Sequence, residues 1–375
     1  MGTRILHLPK WFPNKYDLQN GIFIDKHIVS VSDQYEQIVL SIYKDHELNS
    51  RVNLTENKHG NITYVNVAFK PFSNKIFNVL QYGILGFKYA FRYAKNVQII
   101  HTHVMGRNVF IAWVISVLKQ TKRVHTEHWT LFVKEHQWRN KSVLYKKTTQ
   151  FLLGKMACVL TVSKLLNTNL LKINPKIKTE IIGNVISENE YNGIAKPETF
   201  TFINVSDLRD DNKNISGIIK AFLALEEEID IPVNLNIIGG GDDKEMLQKL
   251  ALPSKQIHFK GRQTNAQVYK SMNAAHCLIL NSRIETFGMV VPEAFSCGLP
   301  VICAKNGVTE TFVDQTCGLV VNQEDDKGLK EAMKTMIANY KQYNTDTICN
   351  KAKPYSETVV GKKIKRIYKT LTNEA

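Results

Sequence analysis

The sequence predicts an α/β protein of two doubly wound, Rossmann-like domains in series, facing a central cleft. Three observations lead there. Short apolar runs alternate with helix-patterned segments along nearly the whole chain, which implies right-handed crossovers and parallel sheets. The alternation breaks once, at a polar stretch over 187–198 that reads as an interdomain linker. At 375 residues, finally, the chain exceeds one typical core of roughly 150 residues. Ligands of such sheets bind beyond the carboxyl ends of the strands, so the polar residues after each strand are the ones to read.

The opening strand is Arg4–Leu8, followed by a loop with Pro9, Pro13 and Gly21 and a helix from about Ile22 to Tyr35. Further strands are expected at Gln37–Ile42, Ile62–Val67, Val97–His101, Arg123–Thr126 and Cys158–Val162, each an apolar run. Helical patterns fill the intervals at about Asn74–Tyr93, Arg107–Lys119, Asn140–Lys155 and Lys164–Leu171. Two strand ends carry histidines, His101-Thr102-His103 and His125-Thr126-Glu127-His128. Metal ligation is one reading of this cluster, but no spacing matches a zinc site. Ordinary hydrogen bonding at strand ends is the other, and it is taken for His101, His103 and His125. His128 lies furthest into its loop, beside Trp129, and is read as a ligand contact. Segments 71–95 and 139–147 join apolar and aromatic residues to charges that are all basic. They fit either core helices with solvated lysines or a surface for an anionic membrane or a lipid-linked substrate.

After the linker the alternation resumes. Strands are expected at Phe200–Val205, Val233–Ile238, Ile257–Phe259, Cys277–Leu280, Val301–Cys303 and Cys317–Val321. Gly239-Gly240-Gly241 follows a strand, but position 244 is Lys, so the dinucleotide fingerprint is incomplete and hydride transfer is disfavoured. Arg209 and Lys213 follow a strand end ahead of a helix. Cations are disfavoured at a helix start, so two there suggest an anion to be clamped; solvated surface charge is the alternative. The stretch 282–302 follows an apolar strand, passes a turn with Glu285 and Gly288, and enters an apolar helix with Glu293. A carboxylate among Val290, Val291, Ala294 and Phe295 needs a partner, since unpaired burial would cost several kcal/mol. Free N–H groups at the start of that helix would suit a phosphate.

Lys and Arg exceed Asp and Glu by 49 − 34 = 15, which favours anionic partners. No nucleic-acid motif accompanies that charge, and none is expected to bind. The six cysteines show no C-x-x-C pair and read as core thiols in a reducing cytosol. No signal-peptide core and no apolar segment of ~20 residues is visible, so a cytoplasmic protein is expected, with peripheral contact to the inner face of the plasma membrane left open. The absence of any D-x-D argues against a carboxylate-held divalent metal, and no metal site and no cofactor are expected.

Glu285-Thr286-Phe287-Gly288…Glu293-Ala294…Gly298-Leu299-Pro300-Val301 resembles the E-x7-E signature of retaining glycosyltransferases of family 4, which have the GT-B fold. Trp11-Phe12-Pro13 with Gly21, Thr126-Glu127-His128, Gly183-Asn184-Val185, Ile238–Gly241 and Phe259–Arg262 fall in the family's order, so the similarity runs along nearly the whole chain. The resemblance implies an acceptor-side domain over 1–185, with a last helix at about 355–375 packing back on it, and a nucleotide-sugar domain over 186–354. It implies a UDP-sugar or GDP-sugar donor and a glycan or lipid-linked acceptor. Glu285 would bind donor-sugar hydroxyls, and Glu293 the nucleotide ribose. Backbone N–H groups of Phe287, Gly288 and Met289 would face the diphosphate or sugar, and Arg209 and Lys213 would neutralise the leaving diphosphate. Gly21 would let backbone approach the phosphates, Gly239 belongs to the family's glycine turn, and Arg262 and Arg283 would line the nucleotide. His128 would contact the sugar near the reacting carbon. An inactive sugar-nucleotide-binding protein, an epimerase or a phosphorylase on the same fold are the alternatives.

Overall fold

Continuous apolar runs become strands covered on both faces, as parallel sheets require; β1 (Arg4–Pro9) is buried along all but its first residue. The computed structural model describes residues 3–187 and 196–373, so most of the expected linker and the last two residues of the expected C-terminal helix lie outside the described residues. The chain divides into two units, Met1–Val185 with Glu357–Ala375, and Ile186–Ser356.

The first unit continues through α1 (Ile22–Val29), β2 (Glu36–Lys44), β3 (Val52–His59), β4 (Ile62–Phe69), α2 (Lys75–Tyr93), β5 (Ile99–His103), α3 (Arg107–Lys119), β6 (Lys122–Glu127), α4 (Glu135–Arg139), α5 (Val143–Gly154), β7 (Cys158–Thr161), α6 (Lys164–Ile173) and β8 (Thr179–Ile181). Its sheet runs β3-β4-β2-β1-β5-β6-β7-β8. All pairings are parallel except β3 with β4, an antiparallel hairpin at one edge. The expected purely parallel sheet is corrected there. Val52-Asn-Leu-Thr-Glu-Asn-Lys-His carries only two apolar residues and is largely exposed, so backbone pairing rather than burial makes it a strand.

The second unit comprises β9 (Phe200–Val205), α7 (Asp210–Lys213), α8 (Ile215–Glu226), β10 (Val233–Ile238), α9 (Lys244–Leu250), β11 (Ile257–Gly261), α10 (Asn265–Asn273), β12 (Cys277–Leu280), α11 (Val290–Ser296), β13 (Val301–Ala304), β14 (Gly318–Val321), α12 (Asp326–Asn339) and α13 (Thr345–Ala352). Its six strands run β11-β10-β9-β12-β13-β14, all parallel. Ile215, Ile218, Ile219, Phe222 and Leu225 of α8 form one side of its core. The last helix, α14 (Glu357–Thr372), returns to the first sheet, burying Val360, Ile364, Ile367 and Tyr368 against Ile5, Tyr35, Ile99 and Leu160. No helix among the described residues is long and apolar enough to cross a membrane.

Strand order decides where function can sit. It reverses between β1 and β5 in the first sheet and between β9 and β12 in the second. Loops leaving such neighbours in opposite directions open a crevice at their carboxyl ends.

Candidate active site

In the second unit the loops after β9 and β12 meet. Arg209 precedes the single turn of α7, and Asn214, left-handed at φ 47°, joins α7 to α8. Arg283, after β12, ties the two loops together. Its guanidinium donates to the Asp210 carbonyl, to Asn214 Oδ1 at 2.8 Å and to the Glu324 carboxylate, and its own N–H donates to the Asn212 carbonyl at 2.8 Å. The Glu324 pair holds the guanidinium above its usual range. That clamp brings Lys213 Nζ to 2.5 Å from Glu285 Oε1, with both side chains largely shielded from solvent. The expected picture of two cations at a helix start is corrected here: α7 intervenes, and Lys213 lies in its last turn, where a cation suits the helix dipole. Arg209 is exposed, with Nε 3.9 Å from the Asp242 carboxylate.

The two glutamates exchange the places expected of them. Glu285 is buried at 8% exposure, whereas Glu293 is only half-buried in the first turn of α11. The helix is seven residues long, so Glu293 sits at its start rather than in an apolar interior, and a carboxylate is favoured there. Gly288, at φ 78°, turns the chain into α11; a Cβ there would lie 2.8 Å from Thr309 Cγ2. Phe287 is fixed between Phe312 and Tyr355, with ring centroids 5.3 and 5.4 Å away. Among the described residues, the backbone N–H groups of Phe287, Gly288 and Met289 have no acceptor. These turn groups, more than the dipole of so short a helix, are what an anion would meet.

Gly239 packs against the same place. At φ 145°, a Cβ on it would stand 1.9 Å from the Ser206 carbonyl oxygen, so the glycine turn lies flat on the β9 loop. Arg262 is exposed and reaches over it, with Nη2 3.4 Å from the Gly240 carbonyl.

The first unit holds the other predicted residues. Gly21, at φ 72°, approaches Trp11; a Cβ would come within 2.6 Å of its carbonyl oxygen. His128 is buried among Phe23, His27 and His103, the nearest ring centroid 4.6 Å away, and neither ring nitrogen has a hydrogen-bond partner. Burial, reinforced by His27 and His125, keeps the ring neutral by pushing its pKa well down. The loop is held by a residue given no role from sequence. Glu127 is fully buried and accepts from the N–H groups of Met105, His128 and Trp129 at 2.9–3.0 Å, while His125 Nε2 lies 3.2 Å away. Its only signal was a carboxylate at the end of a strand.

His7, His101 and His103 converge in the core, with ligand atoms within 4.8 Å of one another. Most of their ring nitrogens already have partners, although His103 Nδ1 has none and His103 Nε2 meets only His7. His7 lies 2.9 Å from Gln37 Oε1 and 3.1 Å from His103, and His101 lies 2.6 Å from Tyr368 Oη and 2.7 Å from Thr126 Oγ1. Burial brings His7 down to about 3 and keeps all three neutral.

At the β1/β5 reversal lies a cavity of about 830 Å³. Lys10, Trp11, Lys44, Tyr82, Met105, Arg107, Phe110, Trp129 and Tyr145 line it. Trp11 entered only through the first-loop motif, Trp129 only as the neighbour of His128, and Tyr82, Arg107, Phe110 and Tyr145 only for helical or basic character. The group as a whole had no expectation attached, because it is assembled from six separate segments.

Two doubly wound units, each with its functional loops at the strand-order reversal, define a GT-B protein. Residues 185–353 match the family model described as Glycosyl transferases group 1. An uncharacterized glycosyltransferase of Methanocaldococcus jannaschii is 30% identical over 113 residues, 29% of this chain and 32% of that protein, so the chain spans about a third of that relative. The N-acetylgalactosamine-N,N'-diacetylbacillosaminyl-diphospho-undecaprenol 4-alpha-N-acetylgalactosaminyltransferase of Campylobacter jejuni is 28% identical over 288 residues, 72% of this chain and 76% of that one. The crystal structure of HepE from Anabaena with UDP superposes at TM-score 0.70, with 16% identity over 99% of this chain and 100% of that chain. That likeness concerns the fold.

Proposed function

We propose that the protein is a retaining glycosyltransferase that moves a hexose from a UDP-sugar to a glycan or lipid-linked acceptor without a metal ion. The observation that carries the proposal is the shielded Lys213–Glu285 pair beside the open N–H groups of Phe287–Met289 at the β9/β12 reversal. A cation, a hydroxyl-binding carboxylate and free N–H donors are what a sugar joined to a diphosphate needs. On donor binding, Lys213 turns to the diphosphate and Glu285 accepts from sugar hydroxyls. Glu293 takes the ribose, Arg209 and Arg262 add charge from the surface, and Arg283 fixes the loops. Gly21 and His128 are assigned to the donor phosphates and sugar from the family resemblance. The bond from the anomeric carbon to the diphosphate oxygen breaks as the acceptor oxygen bonds on the same face, and the departing diphosphate takes the acceptor's proton. The relatives lend support: HepE was crystallised with UDP, and the Campylobacter enzyme is named for a sugar transfer to a diphospho-undecaprenol-linked substrate.

The test is a thermal-shift panel of UDP, GDP and their sugars, followed by NMR of the product's anomeric proton with and without EDTA. Stabilisation by UDP with a retained, EDTA-insensitive product is expected. No response to any nucleotide would point to an interaction protein instead, and inversion at the anomeric carbon would overturn the mechanism.

A further inference from the structure

The cavity at the β1/β5 reversal has no counterpart in the donor chemistry above. Its charged lining is entirely cationic: Lys10, Lys44 and Arg107, with no carboxylate among the lining residues. Lys10 is the most constrained of the three. Its Nζ donates to the Met105 carbonyl at 3.1 Å and stands 3.2 Å over the Trp129 ring centroid. Burial is the chief reason its pKa falls to about 8; Glu127 opposes the fall, and Lys141 and Arg107 deepen it. Glu127 offsets part of this charge, but it is a single carboxylate beside three cations, and its oxygens are committed to three backbone N–H groups and His125. Three cations against one carboxylate leave a net positive potential around the cavity, which an anion would relieve.

The walls are apolar. Tyr82 of α2, Phe110 of α3 and Trp129 face the cavity, whose volume is that of a small-molecule site rather than of a lone phosphate. The two helices that supply Tyr82 and Tyr145 also present large apolar side chains to solvent. Ile84 on α2 is 67% exposed and Leu144 on α5 is 76% exposed. Helices α2, α3 and α5 contain no Asp or Glu. Apolar surface of this extent beside a cationic pocket is unusual unless something apolar and anionic covers it.

We propose that this cavity binds the phosphate or diphosphate end of an apolar chain, so that the acceptor is an anionic amphiphile. Only the word acceptor rests on the transfer reaction proposed above; the binding does not. Lys10 and Arg107 hold the phosphate oxygens, Lys44 stands at the rim, and the aromatic walls take the first part of the chain.

Farnesyl diphosphate, inorganic diphosphate and farnesol separate head, tail and their combination. Binding to the full chain is read by calorimetry and by quenching of tryptophan fluorescence, since Trp11 and Trp129 line the cavity. Farnesyl diphosphate is expected to bind at least ten-fold more tightly than either half. Lys10→Gln and Arg107→Gln are each expected to weaken it about ten-fold, the loss of a charge-assisted hydrogen bond, with the thermal shift by UDP unchanged. If Lys10→Gln does not fold, the exposed Lys44→Gln replaces it, with about three-fold weaker binding expected. Farnesol or inorganic diphosphate binding as tightly as farnesyl diphosphate overturns the proposal, and so does unchanged affinity in the variants. Binding of farnesyl diphosphate with this dependence, but no response to UDP, would uphold the cavity and sink the donor assignment instead.

Discussion

Lys213→Ala separates a catalytic cation from a structural one. In the protein as it stands, Lys213 compensates the buried Glu285. Removing one partner of a buried pair costs about 3–5 kcal/mol because the other charge is stranded. With side chains 22% and 11% exposed, solvent takes up part of that, leaving about 2 kcal/mol. For a unit of this size the melting temperature should fall by about 4–8 °C. Losing a preorganised group opposite developing charge costs far more in turnover, about 100- to 1,000-fold in kcat, or 2.7–4 kcal/mol. The double substitution Lys213→Met with Glu285→Gln distinguishes the two effects. It removes both charges, so stability should return to within about 1 kcal/mol of the starting protein while turnover stays low. Differential scanning fluorimetry and steady-state kinetics on the most stabilising nucleotide sugar read both quantities. Near-wild-type turnover in Lys213→Ala, or activity recovered in the double variant, would refute the reasoning.

Glu127→Ala strands three buried N–H groups and should cost at least about 3 kcal/mol, seen as a lower melting temperature of the first unit; Glu127→Gln, which keeps an acceptor, should cost markedly less. Gly239→Ala forces a Cβ to within 1.9 Å of Ser206 oxygen at φ 145°, and should destabilise by at least about 2 kcal/mol in chemical denaturation and weaken UDP binding, because the β9 loop must shift. Acid should unfold the first unit early. His7 and His27, lowered by burial to about 3 and about 4, contribute stability that is complete above their unfolded pKa near 6.5 and is lost as pH falls below it. At pH 5 the loss approaches roughly 2 kcal/mol per histidine, so a melting temperature flat between pH 7 and pH 5 would contradict their neutral burial.

The repeated strand-helix alternation, the two-domain division and the order of the motifs were legible in the sequence because they depend on local periodicity. Apolar runs name strands whatever packs on them, and the interval Glu285 to Glu293 fixes a turn followed by a helix. Local pattern failed where the neighbours lie far along the chain. Burial of Glu285 rather than Glu293 follows from Lys213, 72 residues away, and from the Arg283 clamp that holds its loop. The edge strand β3 exists because β4 lies beside it, since its own composition is that of a polar loop. The cavity of Lys10, Arg107 and Trp129 was invisible for the same reason: its lining comes from the loops after β1, β5 and β6, from the end of β2, and from α2, α3 and α5. The sequence by itself determined where the strands, the Glu285 turn and the helix after it fall, because these follow from local pattern. Tertiary structure decided which carboxylate is shielded, which cation reaches it and where a net positive pocket opens, because desolvation and charge pairing are set by distance in space.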